Sequence, residues 1–351
     1  SSGIQSIPVI AEQAEQLYVF QRTAHFSIPA RNAPVSAQLA ASIKANYPAR
    51  RAEARLSQAG TVAVRPTKAL AEDPPEARQA LFEQRWAIGG LGSVTAAYND
   101  IIVNPESNEA AAEFVRSKIR DIVDDPATAE LLCPDTYPIG TKRLCLDTDY
   151  YATFNKPNVH LVDIRTGPIS EITPTGITAG GVHYELDAIV FATGFDAMTG
   201  PLLAVEIRGK GGQTLRQKWE HGPRTYLGIA SAGFPNLFMI TGPGSPSVLS
   251  NMIMSIEQHV EWTVDFITYL RDRHLVEFDP EIADEDQWVA HCGELAARTL
   301  YPTAASWYMG ANIPGKPRVF MPYIGGVGTY RLHCQQIADD GYPGFALAKA
   351  G

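Results

Sequence analysis

The chain has 351 residues, 45% of them hydrophobic and 19% charged, with a formal net charge of −9. That length allows two or three domains with a large core, and the acidic balance argues against nucleic acid as a partner. No apolar run approaches the ~18 residues that a bilayer span needs, so no membrane partner is expected. The four cysteines, Cys133, Cys145, Cys292 and Cys334, lack CxxC spacing and read as free thiols in a reducing, cytoplasmic compartment.

Ile4, Ile7, Ile10 or Ala11, and Ala14 recur at helical spacing and predict a helix over residues 3–16, with Pro8 awkward inside it. Leu17-Tyr18-Val19-Phe20 follows as a strand, ending in Gln21-Arg22-Thr23. Helix then strand is the back half of a βαβ dinucleotide unit, whose phosphate turn uses three glycines. Gly3 matches only the third; the first two, with the strand before them, are expected upstream of Ser1, so the chain reads as truncated inside its nucleotide-binding loop. On Gly3 alone, a surface glycine at an ordinary helix start is the simpler reading. An acid after the second strand would suit the ribose 2′-hydroxyl of NAD. Arg22 with Thr23 suits the 2′-phosphate of NADP, or is a plain surface arginine.

Residues 29–140 change texture, with helical periodicity over 75–84 and 108–123 and short proline breaks between segments. Ala112, Val115, Ile119 and Val123 share one face of the second helix. The segment reads as a mostly helical insertion with a solvated Arg/Glu surface. Tyr137 to Arg143 is a loop ending in two adjacent cations. A strand over 158–163 and a three-strand meander over 169–173, 176–178 and 183–186 follow. Ile189 and Val190 then lead into Ala192-Thr193-Gly194-Phe195-Asp196, which predicts a buried parallel strand over 188–193 whose end brings Gly194 to a flat or charged ligand. Leu237 to Ile240 predicts another buried strand, running into a Gly/Pro/Ser loop from Thr241 to Ser247. A long helix should open at Ser250 with Met252, Ile256, Val260, Val264 and Ile267 as its apolar stripe. A last helix is expected over 284–300, with Trp288, Cys292 and Leu295 inward. No HExxH or Cys/His zinc spacing and no GxSxG elbow is present, and Gly325-Gly326-Val327-Gly328 lacks the Lys-Ser/Thr of a phosphate loop.

Several long stretches carry a more specific signal: SSGIQ, VFQRTAHFSIPARNAP, GTKRLCLDTDYY, the ATGFD segment, GPRTYLGIASAGFPNLF, GPGSPSVLSNMIMSIEQHVEW and ASWYMGANIPGKPRVF. Together, over essentially the whole chain, they resemble the Baeyer–Villiger monooxygenases. The resemblance implies an α/β, Rossmann-like flavoprotein with two dinucleotide-binding domains. A partial NADP domain would comprise residues 1–28 and 141–194, residues 29–140 would be its helical insertion, and 195–351 would be the carboxyl-terminal part of the FAD domain. It also implies cofactors FAD and NADPH. These, with O2, insert oxygen beside the carbonyl of a small-molecule ketone, through a peroxyflavin, to give an ester or lactone.

By the same resemblance Arg143 is the catalytic arginine, favouring the deprotonated peroxide. Lys142 joins Arg22 and Thr23 around the 2′-phosphate. Trp307 closes over the nicotinamide. Ser247, Val248, Leu249 and Met252 line the ketone pocket, and Gly194 and Asp196 lie near the flavin and the domain junction. Taken by themselves, Lys142-Arg143 read as a solvated loop pair, Trp307 as a core or rim aromatic and Met252 as helix packing. The family's amino-terminal FAD-binding segment has no counterpart in these residues, so the chain alone is expected to bind FAD poorly, to expose a sheet edge and apolar surface, and to be weak or inert. Two alternatives stand beside this reading: a flavin monooxygenase acting on nitrogen or sulfur, and a non-catalytic nucleotide-binding module.

Overall fold

The computed structural model describes residues 1–63 and 65–350. The chain divides into two compact units, one of residues 1–33 and 65–195, the other of 34–63 and 196–350.

In the first unit the expected helix–strand start is present as α1 (Ser2–Ala11) and β1 (Leu17–Gln21). The helix stops five residues before the predicted end. Asn158 Nδ2 donates to the carbonyls of Ala11 (3.0 Å) and Ala14 (2.9 Å), and Leu17 N donates to Asn158 O (2.8 Å). Asn158 thus caps the helix and starts the strand. The strands β2 (Ser27–Pro29), β3 (Cys145–Asp147) and β4 (Val159–Asp163) complete two parallel pairs, with Tyr18 opposite His160 in β1–β4 and Ile28 opposite Leu146 in β2–β3. β2 has no local signal, since its three residues are too few to show a period.

Residues 65–140 of the expected insertion are indeed largely helical. Pro75 occupies the first position of α4 (Pro75–Ile88), where its missing N–H costs nothing. Asn104 caps α5 (Pro105–Ile122) by accepting from Glu106 N. The predicted face of α5 is the buried one, with Ala112, Val115 and Ile119 wholly inside. Phe114 stacks on Phe82 of α4 at 5.3 Å. The short α6 (Pro126–Leu132) and α7 (Tyr150–Thr153) lead back to β4. The meander is present as β5 (Ile169–Thr173), β6 (Gly176–Ala179) and β7 (Val182–Glu185), antiparallel throughout.

The predicted buried strand over 188–193 is a correction. The segment forms no ladder, and Val190, Phe191 and Phe195 are 66%, 69% and 83% exposed. A strand exists only by pairing, and no described strand lies alongside to receive its backbone groups.

Residues 34–63 belong to the second unit, not to an insertion running through 29–140. The helices α2 (Ala37–Ala45) and α3 (Tyr47–Leu56) precede a turn tied there by backbone bonds from Val327 N to Gln58 O (2.9 Å), Gly328 N to Ser57 O (3.0 Å) and Asn251 N to Ala59 O (2.8 Å). Ion pairs Arg51–Glu257 (2.8 Å) and Arg55–Glu261 (2.9 Å) add to these. Such partners are remote in sequence and leave no local trace.

The short α8 (Gly200–Ala204) and α9 (Leu215–Lys218) precede the long α10 (Met252–Asp272), which starts at an Asn251 cap. The expected stripe of α10 is a second correction. Met254, Trp262, Phe266 and Leu270 face the core together with polar Ser255, Gln258 and His259. Val260, Val264 and Ile267 are 46%, 55% and 49% exposed. The helix carries two apolar faces, and the aromatic one found the larger partners: Phe266 stacks on Tyr342 at 4.1 Å and sits 4.9 Å from Phe345. The strands β8 (Leu275–Pro280) and β9 (Phe345–Lys349) pair antiparallel beneath it. α11 (Ile282–Ala297) buries Trp288 and Cys292 as expected, and α12 (Val327–Asp339) completes the core. Residues 237–240 are not a strand either. Beyond a local turn, their backbone makes one bond to another segment, Met239 N to Ile229 O (2.7 Å), too little for a ladder. All four cysteines are buried free thiols, and among the described residues no helix is long and apolar enough to cross a membrane.

Candidate functional site

In the first unit, cations from two loops come close enough to act on one another. Arg22 and Thr23 follow the carboxyl end of β1, both exposed. Lys142 and Arg143 stand in the loop entering β3. That loop is anchored by Tyr137, whose hydroxyl accepts the Phe26 amide at 3.1 Å. Lys142 Nζ lies 4.2 Å from the Tyr137 ring centroid, a cation–π contact that aims the ammonium. The Lys142 pKa is held below the ordinary lysine value, first by burial and then by repulsion from Arg22. Two cations close enough to repel, with no carboxylate among the causes, make a place suited to an anion. Arg143 is exposed at the lip of the same loop.

The two glycines differ in purpose. A Cβ on Gly3 would lie 3.4 Å from Ala192 Cβ, so α1 packs closely on the 188–193 segment at that point. Gly194 has φ +89°, and a Cβ there would meet nothing within 4 Å. Its glycine is required by backbone conformation, and the space beside it is open.

In the second unit, Asp196 pairs with Lys316 (Nζ to Oδ1, 2.5 Å), and the same ammonium donates to Ala197 O (3.0 Å). Lys316 ties the start of this unit to the turn after Trp307, whose last residue, Gly310, takes the left-handed region at φ +71°. Trp307 itself is half-buried, its ring against that of Tyr308 at 4.1 Å. Asp196 therefore holds a loop in place. Nothing local to Asp196 marks a partner 120 positions away.

The loop from Thr241 to Met252 is tightly constrained. Thr241 and Ser247 have φ of +56° and +33°, values uncommon outside glycine and typical of strained functional loops. Ser245 Oγ donates to Gly242 O (2.7 Å), and Ser250 Oγ to Ser247 O (2.7 Å). Ser247 is buried with its Oγ toward Met198 Sδ (3.9 Å). Val248, Leu249 and Met252 are half-exposed, giving the loop an apolar outer wall. His259 and Tyr330, which no motif singled out, stand directly behind it.

A further buried charge group was also missed. Glu285 is wholly buried, accepts from Ala232 N (2.8 Å), and lies 2.7 Å from Lys218 Nζ. Lys218 and Arg224 line a cavity of about 210 Å³ with Trp288, Cys292 and Phe320.

An α/β chain with parallel strand pairs and two neighbouring cations, one of them just past a strand end, has the features of a nucleotide-binding protein. No family model matches the chain, but individual relatives do. It is 41% identical over 357 residues to a phenazine N-monooxygenase of Lysobacter antibioticus (99% of this chain, 64% of the relative). It is 39% identical over 345 residues to a Baeyer–Villiger monooxygenase of Pseudooceanicola batsensis (97% and 62%) and 38% identical over 350 residues to a cyclohexanone 1,2-monooxygenase of an Acinetobacter species (99% and 64%). Among solved structures it superposes on an oxidized steroid monooxygenase bound to NADP with TM-score 0.93 and 48% identity (100% of this chain, 65% of that one). It superposes on a cyclohexanone monooxygenase of Rhodococcus sp. Phi1 bound to NADP+ with TM-score 0.96 and 38% identity (100% and 66%). The chain belongs to the Baeyer–Villiger monooxygenase family, with the two-dinucleotide-binding-domain flavoprotein architecture, and spans a little under two thirds of the length of these relatives.

Proposed function

We propose that this chain carries the NADPH-holding and ketone-lining parts of a Baeyer–Villiger monooxygenase, which uses FAD, NADPH and O2 to turn a small ketone into an ester or lactone. The carrying observation is the convergence of Arg22 and Lys142, where burial first and then repulsion from Arg22 lower the Lys142 pKa. A 2′-phosphate relieves that repulsion, and Thr23 adds a hydroxyl donor beside it. These residues fit NADPH better than NADH. Residues 1–33 and 65–195 form the NADP unit in this reading, and residues 34–63 and 196–350 the part that meets FAD.

FAD, when bound, supplies the oxygen-activating chemistry. Gly194 fits a flat group, since its bare backbone leaves open space beside it. Arg143 provides a fixed positive charge where negative charge develops on oxygen. Trp307 shields the nicotinamide from water, and Asp196 holds the Trp307 turn through Lys316. Ser247, Val248, Leu249 and Met252 form the apolar wall against which a ketone is oriented. The buried free thiols support a cytoplasmic location.

The test is binding of NADPH and NADH to the 351-residue chain by calorimetry. NADPH should bind at least tenfold more tightly, and Arg22→Ala or Lys142→Ala should each cost it roughly 10–100-fold, as one charge-assisted contact implies, while leaving NADH unchanged. Equal affinity for the two nucleotides would overturn the reading. The relative named as a phenazine N-monooxygenase favours a second reading, oxidation of an aromatic nitrogen. Identifying the product from a cyclic ketone and from a phenazine offered together to the active enzyme separates the two.

A further inference from the structure

Behind the Thr241–Met252 loop a buried relay joins four residues that lie far apart in sequence. Thr241 N donates to His259 Nδ1 (3.0 Å). His259 Nε2 lies 2.8 Å from Tyr330 Oη. Tyr330 Oη lies 2.5 Å from Leu227 O. A carbonyl can only accept, so the tyrosine proton points to Leu227, and Tyr330 must accept from His259. Nδ1 already receives an amide proton, so the ring carries its own proton on Nε2. Each of the three bonds then has one donor and one acceptor, with one tautomer and no net charge.

Both ends of the relay are strained corners. Leu227 and Thr241 take φ of +59° and +56°, in the left-handed region that neither side chain favours. Between them two backbones lie in direct contact: a Cβ on Gly228 would come within 2.6 Å of Ser245 N, and one on Gly242 within 2.6 Å of Gly228 O. The corners cannot relax separately, and His259 with Tyr330 bolts one to the other.

We propose that His259, as a neutral imidazole protonated on Nε2, is a positioning residue that fixes the Thr241–Met252 loop through the Thr241 amide and, via Tyr330, the Leu227 carbonyl. The consequence for ketone binding rests on the reading of Ser247, Val248, Leu249 and Met252 as the pocket wall. His259 touches neither cofactor nor substrate; it acts through the loop. Burial is the main reason the ring stays neutral, taking its pKa down to about 4.

Two-bond 1H–15N spectra of the unaltered chain should show His259 protonated at Nε2 and bare at Nδ1. A proton on Nδ1 would overturn the relay with no substitution made. Hydrogen exchange then compares His259→Phe, which fills the volume but removes the acceptor, with His259→Asn, whose Oδ1 can take the place of Nδ1. The Thr241 amide should exchange roughly tenfold faster in the first variant and recover in the second. Equal protection in all three proteins would refute the positioning role. Titration of the active enzyme with cyclohexanone, with NADP+ and FAD present, reads the consequence: weaker binding in His259→Phe and recovery in His259→Asn support the proposal. A loosened loop with unchanged cyclohexanone binding would leave the relay standing and overturn the pocket assignment instead.

Discussion

Replacing Phe266 and Val264 by alanine, one at a time, asks which face of α10 the fold uses. The two residues lie about 200° apart around the helix. Phe266 is fully buried, stacked on Tyr342 at 4.1 Å with Phe345 at 4.9 Å and Phe278 at 5.1 Å. Its truncation leaves a cavity among rings that cannot collapse, and should cost about 3–5 kcal/mol. Val264 is 55% exposed. Losing its half-covered methyls should cost under ~1 kcal/mol, and alanine returns about half of that through better helix propensity. Phe266→Ala should therefore be severely destabilised and Val264→Ala near neutral. The assay is urea unfolding at 25 °C followed by tryptophan fluorescence. Four of the five tryptophans, Trp219, Trp262, Trp288 and Trp307, lie in the second unit, and Trp262 is on the same helix. A loss above ~2 kcal/mol in Val264→Ala with a loss below ~1 kcal/mol in Phe266→Ala would mean that α10 is rotated, and the core described here would be wrong.

Gly228→Ala meets two obstacles at once, φ of +70° and a Cβ 2.6 Å from Ser245 N. It should lower stability by roughly 3 kcal/mol, the sum of a left-handed penalty and a backbone overlap, and a thermal melt beside wild type measures it. Acid should destabilise the second unit through His259. Its pKa falls from 6.5 to about 4 on folding, so the unfolded chain takes the proton first. The contribution is intact above pH 6.5 and is lost as pH drops toward 4, by at most about 3 kcal/mol. Urea midpoints between pH 7 and 4.5 test this; an equally steep decline in His259→Asn would assign the effect elsewhere.

Much of this protein was legible one segment at a time. The α5 stripe of Ala112, Val115 and Ile119 and the inward Trp288 and Cys292 of α11 follow from local spacing, because a period of 3.6 records a single buried face, whereas β1 and the β5–β7 meander, with no alternating buried face, were marked by their residue types and the turns between them. The candidate cations were visible only as residues at a strand end and in a loop; taken alone Lys142 and Arg143 read as a solvated pair, and a role for them came from the family resemblance.

What the tertiary structure alone decided concerns choices between equals and partners far away. α10 has two apolar faces, and only the arrival of Tyr342 and Phe345 selects the aromatic one. Residues 188–193 have the composition of a strand, but a strand needs a neighbour to pair with. The segment 34–63 joins the second unit through backbone bonds to Val327, Gly328 and Asn251, and backbone groups carry no sequence signature. The His259–Tyr330 relay closes across 71 positions, between residues that look like ordinary core members until the fold brings Thr241 and Leu227 to either end. Periodicity tells a segment which side to bury; only the assembled chain determines against what.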